Sequence, residues 1–205
     1  MKNVFKDKRS FFNPFHYIAG WDALLLGLGM MALAAFLGYI TNYWQDGLID
    51  LHIGPEGPFW LHMAMAVTNW LLVVIILTPL AFWLSDSKIR FLDLAGTLAL
   101  ARYPMILAML PGFSTIPVKL ADYMMYTFVG QGKPVDISPL DITLAVVFGI
   151  VVILCLIWMV ALHYHAYRMS ANLSGKKAGI SFAAGYVVAY VLSKFATAAL
   201  LKSFL

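Results

Sequence analysis

Five long apolar runs dominate this sequence of 205 residues and constrain its fold more than any other feature. Each run is about as long as the ~20 residues that a helix needs to cross a ~30 Å hydrocarbon core. Only 12% of the residues are charged, about half the fraction typical of soluble domains. We therefore predict an all-α, polytopic integral membrane protein, a five-helix bundle that forms one domain over residues 1–205 in the lipid bilayer. The predicted spans are residues 23–45, 59–84, 91–112, 141–164 and 178–201.

The first 21 residues are predicted to form a juxtamembrane arm. It begins with a basic stretch, residues 1–9, and continues with closely spaced aromatic residues around Asn13 and Pro14. Aromatic rings partition into the headgroup layer, and nearby cations are attracted to anionic lipid. An ordinary membrane anchor is the favoured interpretation, and a dedicated lipid or partner motif is the alternative.

The distribution of Lys and Arg predicts how the chain is threaded. Cytoplasmic loops of membrane proteins are enriched in these residues. With a cytoplasmic N-terminus, three basic residues fall outside, Lys119, Lys133 and Lys202, whereas nine fall inside: Lys2, Lys6, Lys8, Arg9, Lys88, Arg90, Arg168, Lys176 and Lys177. The C-terminus, the acidic loop 46–58 and the segment 113–140 are then outside, and residues 118–128 are expected to form a short interfacial helix.

The third predicted span is unusual because Arg102 lies near its middle. At ~1.5 Å per residue it lies roughly 16 Å below the start of the span, close to the membrane midplane. A central arginine costs at least ~2.5 kcal/mol, so we expect it to face protein or water. Asp93 is nine residues earlier, on the opposite helix face, so the two are not expected to pair.

The second span crosses in the other direction and places Asn69 at a similar depth. We predict that the side-chain carbonyl of Asn69 accepts a hydrogen bond from the Arg102 guanidinium. Pro104 has no N–H group, which is expected to leave the carbonyl of Leu100 as a further acceptor. Two roles for Arg102 remain open, a structural clamp between helices and a part of a substrate or proton pathway.

Other polar residues complete a candidate polar core. Lys194, in the fifth span, is expected to reach the far surface or to pair with Asp141. Asp22 and Asp93 mark the inner ends of the first and third spans, where a carboxylate near a helix N-terminus is favourable. The candidate residues, functional or structural, are Arg102, Asn69, Tyr103, Pro104, Lys194, Asp93 and Asp22.

The sequence does not support an enzyme, so we predict no catalytic residue, cofactor or metal. His163 and His165 point about 200° apart on a helix, which disfavours a shared metal ion. The pattern Gly27-x-Gly29-x-x-Ala32 spells a dinucleotide fingerprint, but it lies inside an apolar span with no strand before it. Small residues in that span instead predict close helix approach. Basic residues are scattered, which argues against a nucleic-acid partner.

Three stretches together resemble a known family: the start FNPF, the third span LALARYPMILAMLP, and WMVALHYHAYRMSANLSGKKA before the last helix. This pattern, from residue 13 to the C-terminus, resembles a bacterial member of the Yip1 family of polytopic membrane proteins. The resemblance implies five spans, a cytoplasmic N-terminus and a location in the bacterial inner membrane. For bacterial relatives it implies no established activity, and our first hypothesis is a non-enzymatic Yip1-like membrane protein that organises membrane or partner proteins.

Eukaryotic members of that family work in vesicle trafficking with Rab-type GTPases and carry the signatures DLYGP and GYSL. Neither signature stands in this sequence, and Asp93-Leu94-Ala95-Gly96 matches the first only in part. The expected partner is therefore a membrane or cytoplasmic protein of another kind. A transporter for a small solute, an ion or a lipid, with a polar path around Arg102 and Asn69, is the alternative function.

Overall fold

The structure, a computed structural model, describes residues 12–204. The basic stretch 1–9 and Leu205 lie outside the described residues. The regular secondary structure of the described part is helical apart from one short hairpin. Five segments are long and apolar enough to cross a membrane: Gly20–Thr41, Phe59–Leu84, Phe91–Phe113, Pro139–Ser170 and Gly175–Phe204. The predicted five-helix, multi-pass architecture is confirmed at this level of length and composition.

The elements follow one another in a simple order. A short 3-10 turn, Pro14–His16, precedes the first long helix. The helices are α1 (Gly20–Thr41), α2 (Phe59–Leu84), α3 (Phe91–Leu100), α4 (Pro104–Ala108), α5 (Ile116–Met124), α6 (Pro139–Ser170) and α7 (Gly175–Phe204). Two strands, β1 (Tyr43–Trp44) and β2 (His52–Ile53), form an antiparallel hairpin between α1 and α2.

The third span occupies the centre of the bundle. Its most apolar stretch is 78% buried inside the protein, whereas the corresponding stretches of the other four spans are 11–39% buried. The span is divided into α3 and α4 by a tight turn at residues 101–103, and it ends in a 3-10 turn, Leu110–Phe113. The span that contains the arginine is therefore surrounded by the other elements.

Glycines allow α1 and α3 to pack with their backbones in contact. A Cβ atom on Gly27 would lie 2.4 Å from the backbone nitrogen of Leu100, and one on Gly96 would lie 2.7 Å from the carbonyl oxygen of Gly20. No side chain fits at either distance. Gly27 thus has a packing role, as the small residues of the first span predict.

Both long C-terminal helices extend beyond the predicted spans, α6 by two residues at its start and six at its end, and α7 by three residues at each end. At 32 residues, α6 is roughly 48 Å long at ~1.5 Å per residue, well beyond a ~30 Å core. It begins at a capping box in which Ser138 and Asp141 exchange side-chain and backbone hydrogen bonds. A short helix near residues 118–128 is found as α5, which continues into a π-helical turn, Met125–Val129.

The first span ends earlier than predicted. Helix α1 stops at Thr41 because Asn42 adopts a left-handed conformation with φ 56°, a common way to end a helix. Residues 42–50, which we call the plug segment, then turn back into the bundle. Tyr43, Trp44, Gln45 and Leu48 of this segment are all buried. The loop between α1 and α2, predicted only as an acidic loop over residues 46–58, is thus partly interior.

Candidate functional site

The plug segment is non-helical backbone inside the bundle, so its polar groups need partners from the surrounding helices. Asn69, fully buried on α2, supplies two of the hydrogen bonds. Its amide nitrogen Nδ2 donates to the carbonyl oxygens of Gln45 at 3.0 Å and Gly47 at 3.1 Å. This side chain therefore fixes the middle of the plug segment against the second span.

Helix α7 holds the same segment through two buried hydroxyl groups. The backbone N–H of Leu48 donates to Ser193 Oγ at 2.9 Å, and Thr197 Oγ1 donates to the carbonyl oxygen of Asp46 at 2.6 Å. Ser193 and Thr197 are four residues apart, so they lie on one face of the helix. The plug segment is thus bonded to the second and the fifth spans at once.

Arg102 bonds a side chain of the plug segment. Its Nη2 donates to Gln45 Oε1 at 2.8 Å, and Arg102 and Gln45 are only 2% and 4% exposed. The predicted bond between Arg102 and Asn69 is wrong. The Asn69 oxygen Oδ1 has no hydrogen-bond partner among the described residues. The guanidinium binds Gln45 instead, because α1 ends early and the plug segment brings Gln45 to it. Arg102 and Asn69 belong to one site, but Gln45 connects them.

The turn at residues 101–103 positions the arginine. The N–H of Arg102 donates to the carbonyl of Ala99 at 3.2 Å, and that of Tyr103 donates to the carbonyl of Leu100 at 3.1 Å. Pro104 then begins α4. The prediction that Pro104 leaves the Leu100 carbonyl without a donor is therefore wrong, since the chain tightens to a three-residue repeat and supplies Tyr103.

Lys194 also binds the plug segment. Its Nζ lies 3.3 Å from Asp46 Oδ2 and 3.2 Å from Asp50 Oδ2. The expected pair with Asp141 is wrong, because Asp141 binds Lys119 at 2.5 Å. The lysine side chain is 41% exposed, so solvent screens these ion pairs and they contribute little to stability.

Aromatic contacts also hold the plug segment in place, through its residue Trp44. The Trp44 ring lies on the His62 ring with centroids 4.1 Å apart, and its Nε1 donates to the carbonyl of Pro55 at 2.9 Å. Gly54 and Gly57 leave room for the indole, because a Cβ atom on either would lie within 2.5 Å of it. Burial raises the pKa of the neighbouring Tyr43 phenol.

Several buried polar atoms around Arg102 have no hydrogen-bond partner among the described residues. They are Arg102 Nη1, Asn69 Oδ1, His163 Nε2 and the Tyr186 hydroxyl. His163 and Tyr186 lie close together, with ring centroids 5.5 Å apart, and both interact electrostatically with Arg102. Buried polar atoms are normally paired with protein or ordered water, so these four atoms mark an unusual polar cluster in the interior of the bundle.

The other candidate residues lie apart from this cluster or serve packing. Asp22 is exposed in the first turn of α1, and Asp93 lies in the first turn of α3, 3.8 Å from Arg90. Tyr103 packs edge-on against Trp158 with ring centroids 5.1 Å apart. The structure thus brings Arg102, Asn69 and Lys194 to the plug segment and leaves both aspartates at helix starts.

Sequence reasoning missed the acceptors that complete the site. Asn42 and Gly47 are residues that end helices and form turns, and they flank Gln45 and Asp46. Those two turn residues indicate that the chain leaves the helix before residue 45. Ser193 and Thr197 flank Lys194 on one helix, and their spacing indicates a polar face. Both patterns are present in the sequence, but neither identifies the residues that these side chains bind, because those residues come from distant parts of the chain.

The arrangement offers no metal centre within residues 12–204, where no group of three or more His, Cys, Asp or Glu side chains is placed to hold an ion. His163 is buried with its Nδ1 2.9 Å from the Met159 carbonyl oxygen, whereas His165, two residues later, lines a cavity at the C-terminal end of α6.

Comparison with known proteins provides no relative from which to transfer a function. No family model matches the chain, and no curated protein and no solved structure matches it either. The resemblance to the Yip1 family therefore stays a prediction from the sequence.

Proposed function

We propose that this protein is a non-enzymatic, Yip1-like membrane protein that organises membrane or partner proteins. It resides in the bacterial cytoplasmic membrane with its N-terminus inside and its C-terminus outside. The orientation follows from the excess of Lys and Arg on one side of the five spans. The resemblance supports the class of membrane protein, and the exposed surface of α6 supports the binding of a partner.

The exposed first half of α6 is the observation that carries this proposal. Its most apolar stretch has a mean hydropathy of 3.1 and is only 11% buried, the extremes among the five spans. A groove of about 440 Å³ lies between this helix and the plug segment, and Ala145, Gly149 and Val152 line it. Small residues four positions apart let another transmembrane helix approach closely.

The closed interior also supports organisation in preference to transport. Arg102 is buried and bonded to the plug segment, which is in turn bonded to α2 and α7. A guanidinium held in this way acts as a clamp that fixes the plug segment, and the plug segment forms one wall of the groove.

In-cell photo-crosslinking tests the partner surface. A photoreactive amino acid at Val152, in the groove, is expected to give a discrete protein adduct, whereas the same amino acid at Leu71, exposed on α2, reacts with lipid. Gly149→Leu fills the groove and is expected to abolish the adduct. The matched control Val147→Leu adds the same side chain at an exposed position outside the groove and leaves the adduct intact. An adduct that forms equally at both positions, or that survives Gly149→Leu, contradicts the proposal.

Transport is the second candidate, and the unpaired buried atoms Arg102 Nη1 and Asn69 Oδ1 favour it. Proton flux into proteoliposomes, followed with a trapped pH-sensitive dye, separates the two functions. Organisation predicts no flux above that of empty vesicles. Flux that Arg102→Met abolishes in a folded protein supports the transport pathway and overturns the clamp.

A further inference from the structure

A polar cavity, separate from the groove beside α6, lies at the end of the bundle where the N-terminal segment meets the start of α7. Its volume is about 450 Å³, within the range of small-molecule sites. The polar side chains that line it include Asn13, His16, His165, Arg168 and Ser174. They come from three separate parts of the chain, which the 3-10 turn Pro14–His16, the end of α6 and the loop before α7 bring together.

The cavity is basic, and no acidic residue is found among the described residues that line it. Arg168 and His16 are exposed side chains, and neither forms an ion pair with any carboxylate of the described residues 12–204. Ser174 immediately precedes α7, a helix of 30 residues with no acidic residue in its first turn. The free N–H groups at such an end carry partial positive charge. Every charged contribution at this cavity therefore favours an anion.

Exposed aromatic residues near the cavity indicate that it lies at the level of lipid headgroups. Three aromatic side chains near it in the chain, Phe12, Tyr17 and Trp21, are each more than half exposed. Exposed aromatic rings of this kind form a belt at the membrane–water interface. The cavity thus opens where phosphate groups of phospholipids are concentrated, and its residues belong to no part of the plug-segment site.

We propose that this cavity binds an anionic phosphate ester, and that an anionic phospholipid headgroup is its source. The guanidinium of Arg168 binds two phosphate oxygens with paired N–H donors. His16 and His165 donate further hydrogen bonds. The acyl chains of the lipid lie along exposed apolar side chains of α6. This site is independent of the proposed partner groove and goes beyond that proposal.

Native mass spectrometry of the full chain in detergent tests the site. The two probes are dioleoylphosphatidylglycerol and the soluble compound glycerol 1-phosphate. The wild type is expected to retain one phosphatidylglycerol molecule. Arg168→Gln is expected to weaken retention about tenfold or more, since losing even one of its two hydrogen bonds to a charged phosphate has an effect of that size. His165→Gln weakens it as well. Lys88→Gln, which removes an equal charge at an exposed residue outside the cavity, leaves it unchanged.

The two probes distinguish the source of the phosphate. Retention of phosphatidylglycerol that depends on Arg168, without binding of glycerol 1-phosphate, supports the lipid. Binding of glycerol 1-phosphate with the same dependence supports the phosphate site and replaces the lipid by a soluble ester. Equal losses in Arg168→Gln and Lys88→Gln overturn the site, because they show a general charge effect. Unchanged retention in both Arg168→Gln and His165→Gln overturns it too.

Discussion

Replacing Gln45 by leucine tests whether Arg102 depends on the plug segment. The substitution removes the acceptor that lies 2.8 Å from Arg102 Nη2, in a place where both side chains are at most 4% exposed. Water does not reach the guanidinium, so the charge loses its hydrogen bond without replacement. Loss of such a bond costs about 1.5–3 kcal/mol. The melting temperature of a protein of this size falls by about 2–4 °C per kcal/mol.

We therefore expect Gln45→Leu to lower the melting temperature by about 3–12 °C. Cys155 provides the assay, because it is the single cysteine of the chain and is 7% exposed. A thiol-reactive fluorogenic dye labels it as the protein unfolds. Gln131→Leu makes the same change at an exposed residue and is expected to shift the melting temperature hardly at all.

The double variant Gln45→Leu/Arg102→Met separates a specific pair from a general loss of packing. Removing both partners leaves neither a buried unpaired charge nor an unpaired amide, so the double variant is expected to be more stable than Gln45→Leu alone. The two substitutions then show a coupling of about 0.5–3 kcal/mol. Strictly additive losses would refute the reasoning, because they mean that the two side chains do not interact.

Three further changes test other contacts in the same dye assay. Gly27→Ala is expected to destabilise the protein by about 1–3 kcal/mol, because the new methyl group meets the backbone of α3. Gly29→Ala adds a methyl group in open space and is expected to have little effect. Equal effects of the two substitutions contradict the close crossing of α1 and α3. Asn69→Leu leaves two plug-segment carbonyls unpaired and is expected to cost at least about 1–3 kcal/mol, and a neutral result contradicts its bonding role. Lys194→Met breaks exposed ion pairs and is expected to shift the melting temperature less than Asn69→Leu; the reverse order contradicts the assignment.

The number and the approximate positions of the spans follow from the sequence because hydropathy acts locally. A run of some 20 apolar residues has one stable solution in lipid, a helix, whatever the remainder of the chain does. The central place of the third span also follows, since Arg102 must be buried in protein. Helix geometry also acts locally, and it shows that Asp93 lies too far from Arg102, on the opposite helix face, to serve as its partner.

The partner of Arg102 does not follow from hydropathy. Comparing the depths of residues in neighbouring spans predicts that Asn69 lies near Arg102. That comparison does not reveal a loop that re-enters the bundle. Gln45 stands at the end of an apolar run and is read as the last residue of a helix, unless the left-handed conformation of Asn42 is recognised. Lys194 finds its acids in the same loop for the same reason. Contacts between distant segments decide these positions, and a pattern within one segment does not contain them.

Thiol accessibility of the plug segment tests the central claim most directly. In a Cys155→Ala background, one cysteine is placed at Leu48, which is 1% exposed, and another at Glu56, which is exposed in the same loop. The folded protein in detergent is treated with a hydrophilic maleimide. A plug segment held inside the bundle predicts rapid labelling at position 56 and protection at position 48 until the protein unfolds. Equal and rapid labelling at both positions would show an ordinary external loop and contradict the account.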